Sequence, residues 1–598
     1  MVLASGRREE QRPCRGSGGT KRARHADSDV RTRARNADPE NLARLRGFLH
    51  KWGPDPSLVK EQVVPTPLSL DRTRKALAAL EAPIARAIAS ARARDVDEQQ
   101  VAVARLADLA TKLRAAQDLA AYAATAGAIY QEQAAVFAGH VASEVARLVR
   151  DNGGEHGLGA SDLPGDETQT FAREALADER VRAIGRAVAQ SKGRNDGPLD
   201  EMLVLARDAA RDFTDSEVAP HAERIHRNDE LVSEEFLSKM AELGYFGLSV
   251  PEQYGGVEMG NVAMCITTEE LSRGSLAAAG SLITRPEILT KALLAGGTEA
   301  QKLHWLPKLA SGELMVGISV TEPDVGSDVA GVKCRAERAT QDGVAGWTIT
   351  GPKAWCTFAG RADILALLAR TDPDMKKGNA GLTLFIVPKP RALGHEFEFT
   401  QAGGGKLAGK ADATPGYRGM HSFTLNFERW FVPAENVVGG EAQIGRGFYL
   451  QMGGFSAGRL QTAGRACGVA QAALEKTAEY VVDRVQFGKP LIDYQLTQYK
   501  LGWMAVQLAA ARAITYAAAA AMDEDERKAS PYAAQAKLLA CDVAVAVTQD
   551  GQLLHGGWGY AEEYAISRYV VDAQVLPIFE GVKPILQLRV VGKSLLGG

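Results

Sequence analysis

The sequence predicts an α+β multidomain fold: a helical domain, a central β-barrel-like domain and a C-terminal four-helix bundle, preceded by a helical extension. Three observations predict it. Apolar residues recur at helical spacing from about Leu42 to Leu314. After Val316 the pattern becomes short runs with β-branched or aromatic content, separated by Gly, Pro and Asp. From about Gly445 the helical period returns and holds almost to the C-terminus.

Taken in order, residues 1–40 are rich in Arg, Gly and Ser and almost lack large apolar side chains. Such a segment cannot bury enough surface to offset its ordering entropy, so disorder is expected. The alternative, an Arg-rich organelle-targeting peptide, is opposed by Glu9, Glu10, Asp27 and Asp29. Residues 41–195 form the helical extension, Ala/Arg/Leu-rich, with a Gly-rich loop at 151–159 and no chemical motif. Residues 191–198 read as a linker. Residues 196–316 form the N-terminal helical domain, interrupted at 247–256. In the β-domain, 317–440, the runs 347–350, 364–369, 382–387 and 423–427 read as strands, and the Gly/Ala/Lys-rich segment 401–415 as a loop. Residues 441–598 form the C-terminal helical domain.

Composition excludes several classes. A chain of 598 residues with 45% hydrophobic and 24% charged residues is an ordinary soluble globular protein, long enough for roughly four domains. A net charge of -3 gives no global drive towards nucleic acid or an anionic membrane. The six cysteines are scattered without a CxxC pair or adjoining His cluster, which argues against disulfides or a metal site and fits a reducing cytoplasm. The most apolar helical run, 507–522, is mostly alanine and contains Arg512, so a buried helix is expected and not a membrane span.

Three segments carry chemistry. Val320-Thr-Glu-Pro-Asp-Val-Gly-Ser-Asp328 supplies hydroxyls and a flexible backbone able to approach phosphates. Alone, it reads as an ordinary turn. Asp483-Arg-Val-Gln-Phe-Gly-Lys-Pro-Leu491 places Arg484, Gln486 and Phe487 at a helix end, where an isolated Arg complements the helix dipole. Pro577-Ile-Phe-Glu-Gly581 sets Glu580 between apolar neighbours and a glycine, a place where desolvation can raise a carboxylate towards a useful general base.

In this order, across roughly residues 200–598, the segments resemble the acyl-CoA dehydrogenase family. The resemblance implies bound FAD and assigns its contacts to Ile318, Val320, Thr321, Ser327, Trp355, Thr357, Arg484, Gln486, Phe487, Leu553, Gly556, Gly557 and Val582. Thr321 matches the residue that hydrogen-bonds the isoalloxazine ring, and Trp355 the one beside it. By itself, Trp355 reads as core. The Arg484 loop matches one that crosses a subunit interface, implying a homodimer or homotetramer. Two departures, Leu553 for a common Gln and Val582 for a common Thr, fall on the adenosine side.

The family draws its base either from the position of Glu580 or from the residue before a helical arginine. That arginine is Arg459 here and its predecessor is Gly458, so the resemblance assigns the base to Glu580. It implies α,β-dehydrogenation of an acyl-CoA, with electrons passed to electron-transferring flavoprotein. Ser327, Arg459 and Gly581 match substrate contacts. The segments 271–276, 280–288, 416–422 and 572–580, with the extension, look most like those of a family member acting on a short branched dicarboxyl-CoA, and that resemblance implies (2S)-methylsuccinyl-CoA oxidised to mesaconyl-CoA in the ethylmalonyl-CoA pathway. Burying its free carboxylate requires a cation or several donors, for which Arg273 and Arg285 are the candidates; the bland reading of each is a solvated helix-end charge. The alternatives are a glutaryl-CoA-like or short branched-chain dehydrogenase, an oxidase variant, and a flavin-containing nucleic-acid-binding relative. The last predicts a basic groove or tail, and 592–598 has none.

Overall fold

The structure is a computed structural model, and it describes residues 67–194 and 196–597. The disorder expected over 1–40 lies outside the described residues, as does the start of the extension. Within the extension, α1 (Leu70–Ala91) begins at Ser69, whose side chain accepts a hydrogen bond from the Arg72 amide. Gly127, at φ 91°, turns the chain between α2 (Gln100–Ala126) and α3 (Ala128–Asn152). The shorter α4 (Asp166–Ala175) and α5 (Asp178–Gln190) each open on two acidic residues that complement the helix dipole.

Six helices build the N-terminal domain: α6 (Glu201–Phe213), α7 (Ala219–Asn228), α8 (Glu234–Glu242), α9 (Gly260–Gly274), α10 (Thr284–Gly296) and α11 (Glu299–Ala310). The interruption near 247–256 holds two short turns, Tyr245–Gly247 and Glu252–Tyr254.

The β-domain is one eight-stranded sheet of β1 (Val316–Ser319), β2 (Arg335–Gln341), β3 (Val344–Thr357), β4 (Ile364–Arg370), β5 (Leu382–Pro388), β6 (Glu396–Thr400), β7 (Lys406–Ala411) and β8 (Ser422–Pro433). The order is β1-β4-β2-β3-β8-β7-β6, with β5 beside β4. All four expected strands lie inside β3, β4, β5 and β8. The expected loop 401–415 is corrected: residues 406–411 are a strand, paired to β6 on one side and β8 on the other. Its Gly/Ala/Lys composition carries little strand propensity, so the neighbouring strands impose the conformation.

The C-terminal domain contains α12 (Gly447–Asp483), α13 (Gln495–His555) and α14 (Ile566–Ala573), then a π-helical turn, Leu586–Gly592. Asp525 breaks α13 with φ -154°, dividing it into two antiparallel arms. Among the described residues, 495–560 is the one helical stretch long and apolar enough to cross a membrane, and 67% of its most apolar window is buried inside the protein. The five described cysteines are free and buried.

Extension and bundle share a hydrophobic core in which Leu119, Val136, Val181 and Ile184 pack with Leu501 and Ile514. Small residues permit the closest crossing. A Cβ on Gly185 of α5 would sit 1.8 Å from the Gln498 carbonyl oxygen, and one on Gly502 of α13 would sit 2.0 Å from that of Val181. Backbone therefore meets backbone, and the extension is an integral layer of the fold.

Candidate active site

Glu580 follows α14 in a turn that the backbone enters at φ 54°, a left-handed conformation unfavourable for a residue with a side chain. The preceding Phe579 packs edge-on against Tyr417 at 5.5 Å. The Glu580 carboxylate is 4% exposed, with Oε1 3.5 Å from Arg285 Nη1. Its Oε2 has no hydrogen-bond partner within the protein. Arg459 Nε donates to the Glu580 carbonyl at 3.4 Å, and Lys537 Nζ donates to that of Gly581 at 2.7 Å. The alternative base position also faces this carboxylate. A Cβ on Gly458 would lie 3.0 Å from Glu580 Oε2. α12 thus presents bare backbone to the free oxygen.

The surroundings are cationic. Arg285, Arg465 and Lys537 are buried, and Arg459 is half-buried. Arg465 donates to Ser281 Oγ (3.0 Å) and Thr462 Oγ1 (2.6 Å), with its guanidinium 4.7 Å from the centre of the Phe579 ring. Burial pushes Arg459, Arg465 and Lys537 below their ordinary pKa values, the Glu580 charge opposing the shift in each. Arg285 Nε and Nη2, Arg465 Nε and the whole Gln461 amide also lack partners in the protein. Buried polar atoms are rarely left unpaired, and an excess of buried cations over carboxylates is a seat for an anion.

The two sequence candidates for that cation have different placements. Arg285 points at Glu580. Arg273 is committed elsewhere, to Asp215 (2.6 Å), Glu270 (3.0 Å) and Glu475 (3.5 Å), so the structure does not bring it to this carboxylate. Those three acids raise its pKa against the opposing effect of burial.

The residues matched to FAD fall into two groups. In the first, β1 carries Ile318 and leads directly into Val320, both buried, and the Thr321 carbonyl accepts from the Ala354 amide at 2.8 Å, joining this segment to β3. Trp355 follows at φ 57° with 59% of its surface exposed. Thr357 is buried beside Ser422 (3.1 Å between hydroxyls), and Ser327 is exposed. Sequence reasoning missed what holds this group. Buried Lys353 lies 3.1 Å from buried Glu322 and donates to the Val320 carbonyl at 2.9 Å. Glu322 in turn accepts from the Lys333 and Cys334 amides at 2.8 Å each. The signal was present, a Glu beside Thr321 and a Lys two before Trp355, but a charged residue in sequence reads first as surface.

Of the second group, Arg484, Gln486, Leu553, Gly556 and Gly557 line an open cavity of about 630 Å³ with Tyr480 and Trp558, whereas Phe487 and Val582 lie outside it. His555 stacks on Tyr480 at 4.2 Å and bonds the Gly551 carbonyl through Nδ1 (2.7 Å), which makes it a turn residue. Phe487, at φ 52°, is 97% exposed, and Leu553 is 75% exposed. Val582 is half-buried. A Cβ on Gly556 or Gly557 would meet nothing within 4 Å. An uncovered Trp beside a rigid strand end suits a flat ring, and, separately, an open glycine turn under an arginine suits phosphates. The donor set matches FAD.

Three family models match in series: the N-terminal domain of acyl-CoA dehydrogenase over residues 200–313, its middle domain over 317–430 and its C-terminal domain over 445–596. The chain belongs to the acyl-CoA dehydrogenase family. It is 42% identical over 413 residues to (2S)-methylsuccinyl-CoA dehydrogenase of Cereibacter sphaeroides, covering 69% of this chain and 72% of that one. Butyryl-CoA dehydrogenase from Megasphaera elsdenii superimposes with a TM-score of 0.61 at 32% identity, over 67% of this chain and 100% of the other. Glutaryl-CoA dehydrogenase from Mycobacterium smegmatis, solved in complex with FADH2, gives 0.57 at 26% identity, over 67% and 96%. The chain is therefore an FAD-dependent oxidoreductase acting on CH–CH bonds.

Proposed function

We propose that this acyl-CoA dehydrogenase oxidises (2S)-methylsuccinyl-CoA to mesaconyl-CoA, a step of the ethylmalonyl-CoA pathway, and passes its electrons to electron-transferring flavoprotein. The observation that carries the substrate assignment is the cationic surplus around Glu580, above all Arg285 with two guanidinium nitrogens uncommitted. A monocarboxylic acyl chain offers these groups no partner; a free carboxylate does. The likeness to the Cereibacter sphaeroides enzyme supports the same reading.

FAD, when bound, supplies the hydride acceptor at the β-carbon. The remaining chemistry belongs to the chain. Glu580 takes the α-proton on Oε2, the oxygen facing open backbone at Gly458. Its amide, by family resemblance, donates to the thioester carbonyl and makes that proton more acidic. Arg459 holds the base through its carbonyl, and Arg285 and its neighbours orient the free carboxylate. Ile318, Val320, Thr321, Trp355 and Thr357 would hold the flavin ring; Arg484, Gln486 and the Gly556–Gly557 turn would hold the diphosphate end of a neighbouring subunit's FAD. The exposed Phe487 and Leu553 favour a homodimer or homotetramer as the active form.

Anaerobic flavin bleaching with methylsuccinyl-, glutaryl- and 2-methylbutyryl-CoA tests the assignment, which requires the first to be fastest. Arg285→Ala should lower kcat/KM for the dicarboxylic substrate on the order of 10²-fold, and far less for 2-methylbutyryl-CoA. Arg273→Ala should leave the preference unchanged. Equal loss on both substrates would sink the carboxylate role. A flavoprotein-coupled assay checks the acceptor.

A further inference from the structure

The catalytic loop is held from behind by the extension. Immediately after Glu580 and Gly581 the chain forms a turn over Lys583–Ile585 and then the π-helical turn Leu586–Gly592. That segment packs against α2 of the extension as well as the catalytic bundle. Gln587 is 8% exposed and donates through Nε2 to Asp108 Oδ1 at 2.8 Å. Leu586 and Val591 share a buried cluster with Ala107 of α2 and with Ala534 and Leu538 of α13. A Cβ on Gly592 would come within 2.5 Å of Val103 Cγ1. At the surface, Arg589 pairs with Asp97 at 2.7 Å, and Arg92 donates to the Leu595 carbonyl at 3.2 Å. From the bundle side come two cationic ties, Lys537 to the Gly581 carbonyl and Lys583 to Asp542 at 2.5 Å.

The backbone at Glu580 is left-handed, a conformation that persists only where its surroundings over-determine it. Downstream, α13 supports the loop at Gly581 and Lys583, and α2 joins it from Leu586 and Gln587 onward. We propose that the extension positions the catalytic base: α2, through Asp108 to Gln587 and through Val103 and Ala107 to the π-helical turn, holds the loop that sets the Glu580 carboxylate against the substrate. Asp108 and Gln587 touch no substrate and are positioning residues. This rests on Glu580 being the base, as proposed above. Misplacing a reacting group by about 1 Å costs on the order of 10²-fold in rate, so a loosened anchor is visible in turnover.

The test uses the full-length holoenzyme with methylsuccinyl-CoA and its α-deuterated form. Asp108→Ala and Gln587→Ala should each lower kcat by about 10-fold or more while KM and FAD content stay within about 2-fold, because only the base moves. The isotope effect at the α-carbon should rise, and the double variant should be no worse than either single one. Asp108→Asn, which keeps an acceptor for Gln587, should recover most of the activity. Gln587→Glu keeps the side-chain shape and sets a second carboxyl against Asp108, so its kcat should fall as pH rises and both ionise. It provides the decisive reading if the alanine variants do not fold. Unchanged kcat and isotope effect, or a Gln587→Glu pH profile parallel to the wild type, would overturn the proposal while leaving the dehydrogenase assignment standing. A wild-type protein whose flavin no acyl-CoA bleaches would instead remove the assignment on which it rests.

Discussion

The extension and the pocket around Glu580 are both built on helices and carry several arginines, yet they place charge differently. In the extension, charged side chains find carboxylate partners: Lys112 with Glu144 at 2.8 Å, Arg105 with Glu155 at 2.7 Å and Arg72 with Glu174 at 2.8 Å. Its interior is mostly small apolar residues, close enough at Gly185 for backbones to touch. Around Glu580 the cations are inside, outnumber the carboxylate and keep N–H groups without protein partners. Unpaired buried atoms occur in the extension too, as at Gln133 and Thr111, so it is the uncompensated positive charge around Glu580 that marks a place for an anion. Folding alone would select the first arrangement; chemistry requires the second.

Four experiments test this contrast. The largest effect is expected in the pocket: Glu580→Gln should keep FAD and bind substrate yet lose flavin bleaching on the order of 10³-fold, read by stopped-flow absorbance. A variant that still bleached at the wild-type rate would move the base elsewhere. In the extension the matching lesion is steric. Gly185→Val forces a side chain into the Gln498 carbonyl, and should destabilise the fold by about 3 kcal/mol or more in urea unfolding without altering the kcat of the folded fraction.

A pH experiment addresses α10 itself. Glu287 is buried with both carboxylate oxygens unpartnered, and burial pushes its pKa up to about 7. A carboxyl raised in the folded state is bound to its proton more tightly there than in the unfolded chain. Its contribution is therefore fully present at acidic pH and is lost as pH rises from the ordinary 4.5 through about 7. Glu287→Gln should flatten that decline, giving about 2–3 kcal/mol relative stabilisation at pH 8, measured by denaturant midpoints at several pH values. The smallest effect is at the surface of the extension. Arg105→Ala removes an exposed ion pair with Glu155 and should change stability by less than about 1 kcal/mol, with turnover unchanged.

Much of this organisation was legible in the residues. The switch from helical to strand periodicity after Val316 reflects a local preference that tertiary structure kept, and β3, β4, β5 and β8 lie where it placed them. β7 was missed because glycine, alanine and lysine carry no strand signal; pairing on both sides supplied it. Glu580, Trp355 and Phe487 were singled out from motif order, whereas the left-handed backbone they share is visible only in the folded chain. Arg273 and Arg285 were indistinguishable as letters, since a sequence does not say which acids a guanidinium will meet.

Periodicity, composition and three motifs in series determined the layers of the fold and the family, because each of those signals is written within a few neighbouring residues. The choice between Arg273 and Arg285, the buried Lys353–Glu322 support and the grip of α2 on the loop after Glu580 were decided only in three dimensions. Each depends on groups tens to hundreds of residues apart in the chain, and burial sets the worth of a charge only once those groups have met.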